Sequence, residues 1–281
     1  MINKCLICYS KVIKTTDEEV VFCERCNHYQ YSGSSESKIF DHPELSKSLE
    51  SLRKKQSKKI VKRLKKLYPS SLHNLIALEV GAGKGFLIRE LQDSVSKCYA
   101  LDMDETYKSD LESCGIEFKT SNLDNQSHFN NVDIILGSHV FEHLKDPNKF
   151  LKSVNLNNVT KVIIFVPNSS GWIFSFGKAL NKLGISLLWE RLFQKNSNSP
   201  HYHYFSENSF KRVVENNNFK IIDSFNINMV DYFPNFKRIT VTENLIISII
   251  SSIALSFLEI LNRVFKVCDS KVYYLEKNNR K

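Results

Sequence analysis

Leu78-Glu79-Val80-Gly81-Ala82-Gly83-Lys84-Gly85-Phe86-Leu87 is the stretch that decides the fold. The apolar run Leu75–Val80 reads as a buried strand, and Gly85–Ser94 reads as a helix. A strand that turns sharply into a helix needs backbone free of side-chain hindrance. Gly81 permits the tight turn, Gly83 lets a ligand approach the chain, and Gly85 opens the helix. The next apolar run, Cys98–Leu101, ends at Asp102, which follows Gly81 by 21 residues. That is close to the spacing of an acid that accepts hydrogen bonds from a ribose. Asp102 also suits a helix cap, but the loop and the acid together favour ligand binding.

The pattern on either side repeats. Glu105–Ser113 reads as a helix, Ile116–Lys119 as a third strand and Val132–Leu136 as a fourth. Pro147–Asn155 is a helix and Lys161–Val166 a fifth strand. Such alternation predicts an α/β fold: a doubly wound, mostly parallel sheet with helices on both faces. Beyond it, Ser206–Asn216 reads as a helix capped by Ser206, and Ile221–Phe225 and Lys271–Glu276 as strands. Residues 171–200 break the rhythm. Trp172, Phe174, Phe176, Leu187, Leu188, Trp189 and Phe193 crowd this segment, which reads as an inserted helical lid. Residues 243–268 read as an apolar amphipathic helix with Ser248, Ser252, Ser256, Glu259 and Arg263 on one stripe. Its uninterrupted apolar part is shorter than the roughly 20 residues that span a bilayer.

The ligand is not a dinucleotide by this pattern. That fingerprint places a small residue where Phe86 stands, and Glu79 is poor company for a pyrophosphate. An acid at Glu79 instead meets an ammonium group or a loop amide. Here the sequence resembles class I S-adenosylmethionine-dependent methyltransferases. Glu79 to Gly85 looks like their first motif, and Asp102 matches the acid that holds the adenosine ribose. Asn122-Leu123 matches the pair beside the adenine, although many members carry Asp at the first position. Gly137-Ser138-His139-Val140-Phe141-Glu142-His143-Leu144 resembles the motif after strand four in the small-molecule and sugar branch. Phe165-Val166-Pro167-Asn168 and His201-Tyr202-His203-Tyr204-Phe205-Ser206 resemble two later segments of that branch. The resemblance covers about residues 70–225. It implies a Rossmann-like fold with S-adenosylmethionine as cofactor, held by Glu79, Gly81, Gly83, Gly85, Asp102, Asn122, Leu123 and Ser138.

Residues 1–35 carry four of the seven cysteines and little apolar sequence, and read as a separate module; residues 36–281 form the rest. Cys5-x-x-Cys8 and Cys23-x-x-Cys26 are two knuckles whose thiolates can surround a metal tetrahedrally, zinc being the usual choice. Four sulfurs close the shell, so the zinc is structural and supplies the module's stability. His28 reads as a bystander. Similar knuckles precede methyltransferase domains in sugar C-methyltransferases and in certain ribosomal-RNA guanine methyltransferases.

The net charge is +9. Lys47 to Lys66 hold ten Lys or Arg against one Glu, which accounts for all of it. A basic helix over residues 45–68 follows, suited to phosphate, nucleic acid, a membrane surface or plain solvent. Met1–Lys11 contains no apolar run. That reading excludes a secretory signal and places the chain in the reducing cytoplasm, possible contact with the inner face of a membrane aside.

Methyl transfer needs an aligned acceptor, a dry site and, for many acceptors, a base. His143 titrates near neutrality and suits the base, with Glu142 orienting it; the alternative is that both brace the loop. In ubiquinone-pathway O-methyltransferases a Glu and a Glu-His pair on this loop bind a divalent ion, but His139 stands at the first position here. Tyr202 and His203 are further candidates for a base or a substrate contact, against aromatic packing. The expected function is therefore methylation of a small molecule, a sugar or glycan precursor in carbohydrate biosynthesis. One alternative is an RNA methyltransferase gripping the backbone through the cysteine module and basic helix, although that module offers only Lys4, Lys11, Lys14 and Arg25. Another is a membrane-surface O-methyltransferase of a lipid-linked substrate. A non-catalytic scaffold would lack the cofactor residues, which are present.

Overall fold

The computed structural model describes residues 2–33, 43–121, 130–157, 159–195, 197–227 and 268–278, with positions 253, 256, 257, 260 and 264. Asn122, Leu123 and most of the helix expected at 243–268 lie outside the described residues; the five described positions there are helical. The chain forms two compact units. One comprises Met1–Lys55, Pro167–Ser209 and Asn226–Lys271, the other Gln56–Val166, Phe210–Phe225 and Val272–Lys281.

The second unit carries the sheet that the glycine stretch predicts. Strands β4 (Ile76–Val80), β5 (Lys97–Asp102), β6 (Glu117–Thr120), β7 (Ile134–Ser138) and β8 (Lys161–Pro167) are joined by β10 (Phe219–Ile227) and β11 (Ser270–Lys277). Their order is β10-β11-β8-β7-β4-β5-β6. The five strands from β4 to β8 pair in parallel, with Val80 opposite Leu101 on one side and Gly137 on the other. Asn168 N donates to Asp269 O and Lys277 N to Thr160 O, so opposite ends of β8 and β11 meet and β11 runs antiparallel. The central parallel strands β4, β7 and β8 are buried on both faces, and so read as continuous apolar runs: Ala77, Leu78, Ile134, Ile135, Leu136, Val162 and Ile163 are each 0% exposed, whereas β6 at the edge is polar. The crossovers are α2 (Phe86–Leu91), α3 (Lys108–Ser113) and α4 (Pro147–Leu156), with α7 (Glu207–Asn216) before β10. Asp146 caps α4 by accepting from Asn148 N and Lys149 N, and Pro147 sits at its first position.

The first unit holds a smaller sheet, β1 (Ile13–Lys14), β2 (Val20–Cys23), β3 (His28–Tyr31) and β9 (His203–Tyr204), in that order. Every pairing is antiparallel, and Gln30 faces His203. The module expected at residues 1–35 therefore shares its sheet with a strand from residues 203–204. The inserted segment forms α5 (Trp172–Lys182) and α6 (Leu187–Leu192), as its composition predicts. The two helices meet where Gly177 leaves space: a methyl group there would lie 2.6 Å from Leu192 Cδ1. Phe174, Trp189, Phe193 and Tyr204 bury against Val20, Tyr29 and Tyr31 in one core. Trp189 Nε1 donates to Asp17 Oδ2, and Lys195 bridges Asp17 and Glu19. The cysteine segment has too few apolar residues for a core, and burial of aromatic side chains from 174–204 supplies it, at about 1.5–3 kcal/mol each.

Helix α1 (Pro43–Leu67) is the basic helix. Leu52, Ile60, Val61 and Leu64 are buried, while Lys54, Lys55, Lys58, Lys59, Lys62, Arg63, Lys65 and Lys66 are exposed. Among the described residues, no helix is long and apolar enough to cross a membrane.

Candidate functional site

The sheet order reverses between β4 and β7, and the ends of those strands open the crevice where doubly wound folds bind ligands. Gly81, Gly83 and Gly85 follow β4 with φ of 57°, 48° and 67°. A Cβ on Gly81 would lie 2.4 Å from Val140 Cγ2, and one on Gly85 would lie 2.5 Å from Leu111 Cδ2. A Cβ on Gly83 would meet nothing within 4 Å. Gly81 and Gly85 are therefore glycine for packing and φ, whereas Gly83 presents bare backbone to open space. Asp102, at the end of β5, closes the loop: its Oδ2 accepts from Gly83 N at 2.8 Å and its Oδ1 from Asp104 N at 3.1 Å.

Glu79 is turned the other way. It is 2% exposed, and its Oε2 accepts from Ile88 N at 2.9 Å in the first turn of α2. Burial pushes its carboxyl up to about 8, against the pull of the Ile88 and Leu87 amides. Glu79 thus ties the end of β4 to the first turn of α2 and supports the intervening loop from behind.

Ser138 ends β7. His139 follows with φ 55°, its N bonded to Phe165 O at 2.9 Å and its ring 4.1 Å from that of Phe165. His139 Nδ1 lies 3.0 Å from Glu142 Oε1, whose side chain is fully buried. Paired with a carboxylate, that nitrogen carries the proton. Glu142 thus orients His139, and one of its oxygens also lies within 4.8 Å of a ring nitrogen of His143, the partner expected from the sequence. His143 closes the short turn Phe141–His143, its N bonded to Val140 O, and is partly exposed.

In the first unit, the Sγ atoms of Cys5, Cys8, Cys23 and Cys26 all lie within 4.8 Å of one another. Cys5–Cys26 and Cys8–Cys23 are 3.6 and 3.4 Å apart. A tetrahedral zinc with bonds of about 2.3 Å needs sulfurs about 3.8 Å apart, so the four thiols fit the ion with small adjustments. The hydrogen bond from Cys26 pulls the Cys5 thiol down to about 5 and pushes that of Cys26 up. His28 stands outside this thiol cluster and pairs elsewhere. Its Nε2 lies 3.0 Å from His203 Nδ1, and both rings are buried. Burial and the neighbouring His203 hold His28 well below the usual imidazole range. His203, 1% exposed, is thereby committed to the small sheet. Tyr202 is partly exposed and stacks on Tyr31 at 6.3 Å.

Residues 52–224 match the model of a family described as a methyltransferase domain. The chain belongs to this methyltransferase family. No curated protein matches the sequence. Among solved structures, a chain from the complex of the Haloferax volcanii Trm112 methyltransferase activator with its methyltransferase aligns at TM-score 0.57 and 13% identity, over 84% of this chain and 93% of that one. The magnesium protoporphyrin IX methyltransferase of Synechocystis, solved with bound S-adenosylhomocysteine, aligns at 0.53 and 13%, over 88% and 90%. The YcgJ protein of Bacillus subtilis aligns at 0.52 and 14%, over 80% and 99%. At these identities the likeness speaks for the fold, a Rossmann-like methyltransferase sheet. In this methyltransferase chain two pairings tie the histidines down, His28–His203 and His139–Glu142, and only the first was hidden from the sequence. The first joins residues 175 apart. The second, three apart on a turn, was within reach of helical spacing.

Proposed function

We propose that the protein moves a methyl group from S-adenosylmethionine to a small-molecule acceptor, a sugar or glycan precursor. The observation that carries the cofactor reading is the bond from Gly83 N to Asp102 Oδ2 beneath open space over Gly83. Bare backbone admits the adenosyl group, and the Asp102 carboxylate retains lone pairs for the ribose hydroxyls. Gly81, Gly85, Ser138, Asn122 and Leu123 complete this site by the motifs they match, and Glu79 fixes the loop. When bound, the cofactor supplies an electrophilic methyl carbon on a sulfonium. The chain's part is to align the acceptor, exclude water and take the acceptor's proton.

His143 is the base in this reading, receiving that proton on an imidazole nitrogen. The His139–Glu142 pair holds the turn that carries it. Tyr202 is an acceptor contact, and His203 positions the small sheet through His28. The four thiols hold a structural zinc. The sugar or glycan class rests on the resemblance of residues 137–144 and 201–206 to that branch. Mass spectrometry of glycan and nucleotide-sugar extracts, from cells with and without the gene, tests it. A species heavier by one methylene unit in the presence of the gene is expected; an unchanged extract overturns the acceptor class.

The eight exposed Lys and Arg of α1 favour RNA as a second reading. In that case RNA retention falls steeply with salt and disappears when Lys58, Lys59, Lys62 and Lys66 become Gln. Retention that ignores both contradicts it.

A further inference from the structure

The first unit contains a polar cavity of about 250 Å³ lined by Tyr29, Ser169, Phe174, Ser175, Lys178 and Lys182, with Ala179 on its wall. Its floor is aromatic: Tyr29 and Phe174 are 6% and 2% exposed, with ring centroids 4.9 Å apart. Its cations stand on one face of α5. Lys178 and Lys182 are four residues apart, so their charges repel, at a cost of a few tenths of a kcal/mol. Among the described residues, neither ammonium pairs with a carboxylate, whereas the nearby Lys195 bridges two. Lys178 Nζ is held over the rings of Tyr29 and Phe22, at 5.6 and 5.9 Å. An aromatic face fixes an ammonium in place without neutralising it. Ser169 and Ser175 add hydroxyls, and Ala179, one turn beyond Ser175, leaves the room between them.

Two cations, two hydroxyls and an aromatic floor suit a ligand with several anionic oxygens next to a ring. A single carboxylate carries one charge on two oxygens, whereas a phosphate or diphosphate brings more charge on three or more oxygens and so better matches two cations set one helical turn apart. We propose that this cavity binds the phosphate or diphosphate group of a water-soluble phosphorylated small molecule. This goes beyond the methyl-transfer reading and depends only on residues of the first unit.

The test is calorimetry on the intact zinc-loaded chain, titrated with pyrophosphate, with a nucleoside diphosphate and with the matching nucleoside. Pyrophosphate and the diphosphate are expected to bind and the nucleoside not to. Lys178→Gln with Lys182→Gln should weaken pyrophosphate binding about tenfold or more, and Lys182→Gln alone by less. Circular dichroism confirms that each variant is folded. S-adenosylhomocysteine is titrated separately, so failure of the methyltransferase reading registers in that arm alone. Undiminished pyrophosphate affinity in the folded double variant overturns the proposal. So does flotation on phosphatidylserine vesicles that depends on the two lysines while pyrophosphate gives no heat, since that result would make the cavity edge a membrane contact.

Discussion

The two sheets of this protein are built on opposite terms. In the seven-stranded sheet, β4 to β8 are consecutive strands, most of them apolar runs, and their order follows the chain on either side of β4. In the four-stranded sheet, the strands are two to four residues long and β3 pairs with β9 across some 175 residues. The larger sheet carries its own core. The smaller one borrows aromatic side chains from α5 and α6 and, in our reading, a metal ion. A sheet with little local apolar sequence is thus stabilised by what is brought to it from far along the chain.

The strongest way to break that contrast is at the thiols. Cys26→Ser should abolish stoichiometric zinc and remove much of the roughly 10–16 kcal/mol that a structural zinc contributes. Metal analysis with thermal unfolding reads both; a variant that melts like the parent shows that the small sheet stands without metal. Next comes the borrowed core. Trp189→Ala removes a side chain 1% exposed that packs on Tyr29, Phe174 and Phe193, and should cost about 3–5 kcal/mol in denaturant unfolding. A loss below about 1 kcal/mol would place the core elsewhere.

Acidity sharpens the comparison with smaller effects of opposite sign, on the order of a few kcal/mol or less. Glu79, in the large sheet, has its carboxyl raised from 4.5 to about 8. The folded state therefore holds the proton more tightly, and the stability this gives is present below pH 4.5 and lost as pH rises through about 8. Glu79→Gln should gain on the parent across that window. His28, in the small sheet, is lowered below 6.5, so its neutral ring favours folding above that value and stability is lost as pH falls below it. His28→Phe should flatten that acid limb. Unfolding midpoints measured from pH 5 to 9 check both; parallel curves for parent and variants would refute the two assignments.

Much of the large sheet was legible because burial on both faces forces continuous apolar runs and glycine punctuates their ends. Ser206 was legible as a cap for the same local reason: its Oγ accepts from Ser209 N at 3.1 Å. The cysteine spacing foretold the thiol cluster, since a tetrahedral shell fixes which residues converge. What escaped was non-local. His28-Tyr29-Gln30-Tyr31 is buried at every position, yet nothing in its polar sequence names the partner, β9, that covers it. The position of Glu79 admitted two partners, and the choice of the α2 amides depends on a turn whose geometry only the folded loop defines.

The central claim is that Gly83 and Asp102 grip the adenosyl group. Calorimetry with S-adenosylhomocysteine on the parent and on Asp102→Ala tests it most directly. We predict binding to the parent and a loss of about tenfold or more in the variant, where charge-assisted hydrogen bonds to the ribose disappear. No heat with the parent, or equal affinity in a folded variant, would contradict the account.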